Sequence, residues 1–417
     1  MSTLNQEQKV AKDRLVSFLN SGSESRIILT GSGGTGKTFT ISTVMKDIEK
    51  LDKLAGVIDS TSPKYRPWYF TATTNKAKQA IQMCLPYQEV DTIHSLLSLR
   101  PFRGNLVKAK NFTNKLAFNS ILVIDECSYI DEKLLSFIDE LVPKSVKIIY
   151  VGDANQLTPV KSTTCPVFHQ GYEELKLTTL VRQTNAPLIG QISDEFKQFI
   201  ESDGQLDFPK ISLSNEISHM SSSDFDALIE KVFIHDEGLT LHNRVLAGTN
   251  AVVNKHNTHL FGLANGRTEL VAGDTVVSNN FVKGIKTDEE VIILSKSPYL
   301  SSIANCNGTI FSIQSMTHST DVYVPDSPKK AYKAITELLD APESLDKAEA
   351  LELYDSAADL RPMYASTIHK SQGSTFENVY IDLSSLSYVR DKVALARLLY
   401  VAISRASKHV YLTGDIT

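Results

Sequence analysis

At 417 residues the chain is long enough to bury the cores of roughly two to four domains, and its net charge of −5 lacks the basic excess of a protein that coats nucleic acid. Its 42% hydrophobic and 22% charged residues are ordinary for a soluble globular protein, and no apolar run approaches the ~20 residues of a membrane span. Cys84, Cys127, Cys165 and Cys306 form no C-x-x-C pair, so neither a zinc site nor a disulfide framework is indicated, and all four read as reduced packing residues.

Residues 1 to 20 are polar with a helical scatter of Leu4, Val10, Leu15, Phe18 and Leu19, without the apolar centre of a signal peptide, so the chain is expected to stay in the cytoplasm. The apolar run Ile27-Ile28-Leu29 then leads into Gly31-Ser32-Gly33-Gly34-Thr35-Gly36-Lys37-Thr38, which completes the pattern G-x-x-x-x-G-K-T. Glycines at that spacing let successive backbone N–H groups turn inward on phosphate. Lys37 adds a positive charge, and the Thr38 hydroxyl can ligate Mg²⁺. Phe39 to Leu51 has helical spacing, which puts the phosphates at a helix N-terminus.

Pro67 to Thr73 reads as a second strand and Asn75 to Cys84 as a helix burying Ala77, Ala80 and Ile81. Between Asp91 and Asp125 there is no acidic residue, whereas Arg100, Arg103, Lys108, Lys110 and Lys115 carry positive charge, making a local basic surface inserted into the domain. Inside it, Gly104-Asn105 signals a tight hairpin, with Phe102 and Leu106 nearby to present apolar surface at its tip. Ile121 to Glu126 is an apolar strand ending in two carboxylates, and Val146 to Asp153 is another strand with a polar end. Such continuous apolar runs with helical patterns between them suit a parallel α/β sheet that binds ligand at the carboxyl ends of its strands.

In the second half, Leu239 to Thr249 reads as strand, Asn250 to Leu263 as helix, and Val271 to Met316 as short β segments suggesting a small barrel. The charged stretch from Ser327 to Ala358 is open between helical decoration and a linker. Tyr364 to Thr375 is a polar loop and helix start, Val379 to Asp382 a strand, Leu395 to Arg405 a helix and His409 to Leu412 the final strand. For the chemistry, Asp125 is placed to hold Mg²⁺ and Glu126 to polarise an attacking water, and the Gln156 amide can reach the γ-phosphate or that water.

Gly31 to Thr38, Val123 to Glu126, Val151 to Leu157, Ser366 to Gly373 and Leu399 to Ala406 follow the order found in superfamily 1 DNA helicases. The chain resembles the RecD-like group of that family and the Dda-type helicases of T-even bacteriophages. The likeness includes Asn185-Ala186-Pro187 after Arg182, and Gln8 placed like the family's adenine-reading glutamine.

The resemblance implies an α/β fold of two RecA-like parallel-sheet lobes, residues 1–95 with 119–180 and residues 181–270 with 361–417. A hairpin insertion at 96–118 interrupts the first lobe, and an SH3-like β-barrel with helical decoration at 271–360 interrupts the second. ATP and Mg²⁺ would sit between the lobes, with Arg182 and Arg405 at the γ-phosphate and Gln372 and Gly373 near the nucleotide. Thr73, Thr92, His94, Thr367 and His369 match positions that contact single-stranded DNA, and Phe102 or Leu106 is the candidate for the pin that splits a duplex. The function implied is ATP-dependent unwinding with 5′ to 3′ movement, in replication, recombination or repair. The implied partners are single-stranded DNA, duplex junctions and a single-strand-binding or replication or recombination protein. The implied state is a monomer, in the host cytoplasm for a viral chain. The alternative, a non-motor phosphate-loop ATPase or switch, gives no reason for Ser366 to Gly373 and Arg405.

Overall fold

The computed structural model describes residues 4–58, 65–102, 105–108, 115–159, 164–179, 186–235, 242–316, 318–341 and 346–415. In chain order the elements begin with α1 (Gln6–Asn20), β1 (Arg26–Gly31), α2 (Lys37–Ile58), β2 (Trp68–Ala72), α3 (Asn75–Cys84), β3 (Val90–Thr92) and α4 (Ile93–Leu96). There follow β4 (Leu99–Phe102), β5 (Asn105–Lys108), β6 (Ile121–Asp125), α5 (Glu132–Leu141), β7 (Lys147–Gly152), β8 (Glu173–Leu177), α6 (Pro187–Glu201) and β9 (Ile217–Met220). The middle of the chain supplies α7 (Ser222–Glu230), β10 (Asn243–Ala247), α8 (Asn250–Asn265), β11 (Thr275–Ser278), β12 (Glu290–Tyr299), β13 (Gly308–Gln314) and β14 (Ser319–Pro325). The rest is α9 (Pro328–Asp340), α10 (Lys347–Ser356), β15 (Leu360–Arg361), β16 (Ala365–Thr367), α11 (Ile368–Ser371), β17 (Phe376–Asp382), α12 (Lys392–Ser404) and β18 (Ala406–Thr413).

Two compact units result, Met1–Met220 with Ile368–Thr417 and Ser221–Thr367. In the first, a six-stranded sheet runs β3-β2-β6-β7-β1-β8 with every pairing parallel. Successive side chains of a strand point to opposite faces, and both faces here are covered. Ile27, Leu29, Ile121, Val123, Ile149 and Val151 share one core with Leu15 and Phe18 of α1 and Ile41, Val44 and Ile48 of α2. Ile28, Leu122, Ile124, Ile148 and Tyr150 share the other with Leu134, Leu135 and Ile138 of α5. Each fully buried aliphatic side chain is worth about 2 kcal/mol relative to exposure, so the strands are fixed from both sides and their carboxyl ends become a rigid platform. N-terminal side-chain caps fix where the helices begin: Asn5 and Gln8 form a capping box on α1, and Thr74 and Asp131 cap α3 and α5. The same unit contains β17 and β18, paired parallel, with β9 parallel to β18 on the other side.

In the second unit β10 pairs parallel with β16, and a separate antiparallel sheet runs β14-β13-β12-β11-β15. Val276, Val291, Ile293, Phe311, Ile313 and Val322 form its core. The stretch after Ser327 forms α9 and α10, which bury Ala331, Ile335, Leu339, Ala350 and Leu353 around Tyr323.

Several expectations need adjusting. The helix after the phosphate loop extends to Ile58, and the β region continues past Met316 through Pro325 because β14 completes the pairing of β13. The strand expected from Leu239 is Asn243–Ala247, with residues 236–241 outside the described ones. Cys127, Cys165 and Cys306 are buried packing residues, whereas Cys84 is exposed at the end of α3. Leu106 is not at a hairpin tip: it packs against the α5-side core, and Lys108 pairs with Glu140 of α5 at 2.5 Å.

Candidate functional site

The turn Gly31–Lys37 joins β1 to α2 at the carboxyl edge of the first sheet. Gly34 and Gly36 take positive φ of 87° and 84°, which a side chain would strain, and a Cβ at Gly31 would lie 2.5 Å from the Leu177 carbonyl oxygen. Thr35 is fully buried and its hydroxyl donates to the Ser32 carbonyl, while Gly33 is exposed and Thr38 half-buried at the start of α2. The Lys37 ammonium donates to the carbonyls of Gly31 and Ser32 at 2.6 and 3.1 Å, holding a positive charge over the loop. Gln8 closes the other side. Its amide oxygen accepts from the Asn5 N–H at 3.0 Å and its amide nitrogen donates to the Thr35 carbonyl at 2.9 Å.

Asp125 ends β6 and Glu126 follows it, beside this loop. Burial pushes the Asp125 carboxyl up, against the opposing pull of Lys37 and of the Glu126 N–H, which donates to its Oδ1 at 2.8 Å. Glu126 is pushed up to about 7 by burial, then by the charge of Asp125, with Lys37 and Arg405 pulling the other way. Its backbone is left-handed at φ 52° and ψ 44°, rare for a residue with a side chain and common at functional sites. Two half-buried carboxylates beside an ammonium and a threonine hydroxyl are hard oxygen donors short of positive charge. They fit a divalent cation that arrives with phosphates and keeps waters. Among the described residues no cluster of three or more His, Cys, Asp or Glu could hold a metal by protein ligands alone.

The loop after β7 meets the last helix. Gly152 lets the strand end pass Cys127, whose Sγ would be 2.7 Å from a Cβ there. Gln156 and Gln372 are both buried and their amides hydrogen-bond to one another, leaving Gln372 Oε1 buried without a partner. A Cβ at Gly373 would lie 3.9 Å from Glu126 Oε1. Arg405, at the end of α12, is buried. Its guanidinium donates to the carbonyls of Val401 and Ser374 and to the Ser404 hydroxyl, and Nη2 is 3.9 Å from where a Gly33 Cβ would be. Lys37, Asp125, Glu126, Gln156, Gln372, Gly373 and Arg405 therefore converge. Arg182 lies outside the described residues.

Two residues without an assigned role join this group. Tyr400 donates to Asp153 Oδ2 at 2.6 Å and lies by Ser32 of the phosphate loop, and Arg397 donates to the carbonyls of Ala154 and Gln156 at 2.7 and 2.8 Å. The motif Leu399 to Ala406 contains the tyrosine, but nothing in spacing alone pairs either residue with the loop after β7.

The candidate strand contacts divide between the units. Thr73 follows β2 and Thr92 ends β3. Thr92 caps α4 by accepting from the Ser95 N–H, and burial holds the half-buried His94 imidazole below its usual range, towards the neutral form. His369 belongs to the first unit and is likewise lowered by burial, and its carbonyl accepts from the Tyr129 hydroxyl at 2.8 Å. Thr367 is buried on β16 in the second unit, opposite Ala247. Phe102 stands opposite Asn105 across the β4–β5 hairpin, whose turn lies outside the described residues.

Family profiles match twice: the AAA domain over residues 19–162 and the UvrD-like helicase C-terminal domain over residues 362–413. The chain is 23% identical to the ATP-dependent DNA helicase Dda of Enterobacteria phage T4, over 92% of this chain and 93% of that one. It is 30% identical to the RecBCD enzyme subunit RecD of Buchnera aphidicola, over 38% of this chain and 27% of that one. Among solved structures, Pif1 helicase from Bacteroides in complex with ADP-AlF3 and ssDNA shares the fold, with a TM-score of 0.54 at 16% identity over 100% of this chain and 94% of that one.

Proposed function

We propose that this chain, which belongs to the superfamily 1 DNA helicases of the RecD-like group, hydrolyses ATP to step along single-stranded DNA and to unwind duplex DNA. The observation that carries this is the convergence of Lys37, the Asp125–Glu126 pair and Arg405 on the phosphate loop. Hydrolysis that depends on a group from the C-terminal helix is tied to the position of that helix, and this is what a motor needs.

The roles follow from chemistry. The loop's N–H groups and the Lys37 ammonium bind the phosphates, with Gln8 at the base-side edge. Mg²⁺, held by the Thr38 hydroxyl and the Asp125 carboxylate, would neutralise phosphate oxygens when bound. Glu126 orients and deprotonates the attacking water, and a group pushed towards neutrality is a usable base at physiological pH. The unpaired Gln372 Oε1 and the Gln156 amide hold that water or report on the phosphate. Arg405 presents a guanidinium fork to charge that develops on the transferred group, the role that the family likeness also gives Arg182.

The finer reading follows the same family. Residues 1–95 with 119–180 and 181–270 with 361–417 are its two RecA-like lobes, and the antiparallel sheet within 271–360 is its SH3-like barrel. Thr73, Thr92, His94, Thr367 and His369 grip phosphate and sugar without reading sequence, Phe102 forms the pin, and movement is 5′ to 3′. The protein works as a monomer in the cytoplasm, the host's if the chain is viral, with a replication or recombination partner. Among the described residues no helix is long and apolar enough to cross a membrane.

The test is steady-state ATP hydrolysis with and without an oligodeoxythymidine, alongside strand displacement from a tailed duplex. Strong stimulation and displacement are expected; a rate indifferent to DNA would favour a non-motor ATPase or switch.

A further inference from the structure

The residue that must act on water, Glu126, is held by groups that belong to the strand-binding side. The Thr73 hydroxyl donates to the Glu126 carbonyl at 3.0 Å, and the Thr73 N–H donates to the Asp125 carbonyl at 3.3 Å. The Glu126 carbonyl also accepts the Tyr129 N–H at 3.1 Å, closing the short helical turn Cys127–Tyr129. From the far end of that turn the Tyr129 hydroxyl donates to the His369 carbonyl at 2.8 Å, across a sequence separation of 240 residues. One turn, with its left-handed glutamate, is thus pinned at one end by Thr73 and at the other by the backbone of His369.

We propose that the turn Glu126–Tyr129 is a relay through which a bound single strand sets the hydrolytic glutamate, with Thr73 and Tyr129 as its positioning residues. The proposal rests on the reading that Thr73 and His369 meet the strand. A threonine hydroxyl has a single proton, so Thr73 donates it either to the Glu126 carbonyl or to a DNA phosphate. The phosphate, being charged, is the stronger acceptor. When the strand takes that proton, Glu126 loses one of the two bonds holding its carbonyl in the left-handed conformation. When the strand moves the His369 backbone, Tyr129 carries the displacement into the same turn. Asp125, on the last position of β6, stays fixed by the strand ladder, so the relay changes the glutamate without disturbing its neighbour.

The test uses the full chain with Tyr129→Phe, Thr73→Val and Thr73→Ser. ATP hydrolysis is measured without DNA and at saturating oligodeoxythymidine, and affinity by fluorescence anisotropy of the labelled oligonucleotide. Tyr129→Phe keeps the ring and loses only the hydroxyl. It is expected to cut the ratio of DNA-stimulated to DNA-free turnover by about fivefold, the scale of one hydrogen bond, with affinity held within about threefold. Thr73→Val is expected to cut the ratio similarly and Thr73→Ser to restore it. An unchanged ratio in Tyr129→Phe overturns the relay. So does an equal fall in both rates, which marks a structural role, or a loss of affinity matching the loss of stimulation, which marks a DNA contact. In each of those cases the helicase reading stands. A wild-type rate that DNA does not stimulate overturns the helicase reading and the relay together.

Discussion

In the proposed mechanism Lys37 and Arg405 serve the same phosphate group from opposite ends of the chain, and their replacement is expected to fail in different ways. Lys37 lies within the cradle, so Lys37→Ala removes both phosphate binding and hydrolysis, and nucleotide affinity measured with a fluorescent ATP analogue falls with turnover. Arg405 is bonded to Val401, Ser374 and Ser404, groups outside the cradle. Arg405→Ala is therefore expected to keep nucleotide affinity and lose about 10³-fold in turnover, the scale of a missing arginine finger. Equal modest losses in both would make the arginine structural. The groups proposed to touch phosphate were legible in the sequence because the chemistry demands particular residue types at consecutive positions, as in Gly31 to Thr38. Arg397, Tyr400 and the Thr73–Glu126 bond were not, because each joins segments that only the folded chain brings together.

At the scale of elements, α1 is tied to the exit of β8 by one side chain. Glu7 accepts from the Thr178 hydroxyl and N–H and the Thr179 N–H at 2.5, 2.8 and 3.0 Å, and these bonds hold its carboxyl down at about 2 against an ordinary value of 4.5. A depressed folded-state value means stability that is fully present above the unfolded value and lost as pH falls through the folded one. The melting-temperature difference between wild type and Glu7→Gln is expected to be steady above pH 4.5 and to shrink as pH falls towards 2; a difference independent of pH would show that the carboxylate is not the tie. The hairpin β4–β5 gives a second test. Leu106 and Lys108 dock its base on α5, leaving Phe102 next to the turn as the residue to challenge. Phe102→Ala is expected to slow strand displacement about tenfold, since one base–aromatic stack is worth ~1–3 kcal/mol, while DNA-stimulated hydrolysis persists. Unchanged displacement would move the pin elsewhere. The central strands β1, β2, β6 and β7 of the first sheet were readable because each is covered on both faces and so is largely apolar. β8, with polar residues alternating through Glu173–Leu177, lacks that signal, and β14 declares itself only by pairing with β13.

For the whole molecule, charge is the quantity that sequence composition misjudges. A net charge of −5 argues against a nucleic-acid partner, yet acidic residues are absent between Asp91 and Asp125, and some of the basic groups near that stretch are already paired. Lys78 is 3.2 Å from Asp91 and Lys108 is 2.5 Å from Glu140, so the cations left to meet a strand are fewer than the sequence count suggests. As proposed strand contacts, His94 and His369, both held towards the neutral form by burial, add hydrogen-bonding capacity without charge. Binding is therefore expected to be electrostatic but built on few phosphate contacts. Log affinity for single-stranded DNA should fall linearly with log salt, at roughly −0.7 per phosphate neutralised. Anisotropy titrations of oligodeoxythymidine and of mixed-sequence oligonucleotides from 50 to 200 mM salt, a range of about fourfold, measure that slope. A modest negative slope shared by all sequences is the expected result. A flat line would mean that phosphate neutralisation is not what holds the strand, and a strong preference for one sequence would mean that the threonines and histidines read bases instead of gripping the backbone.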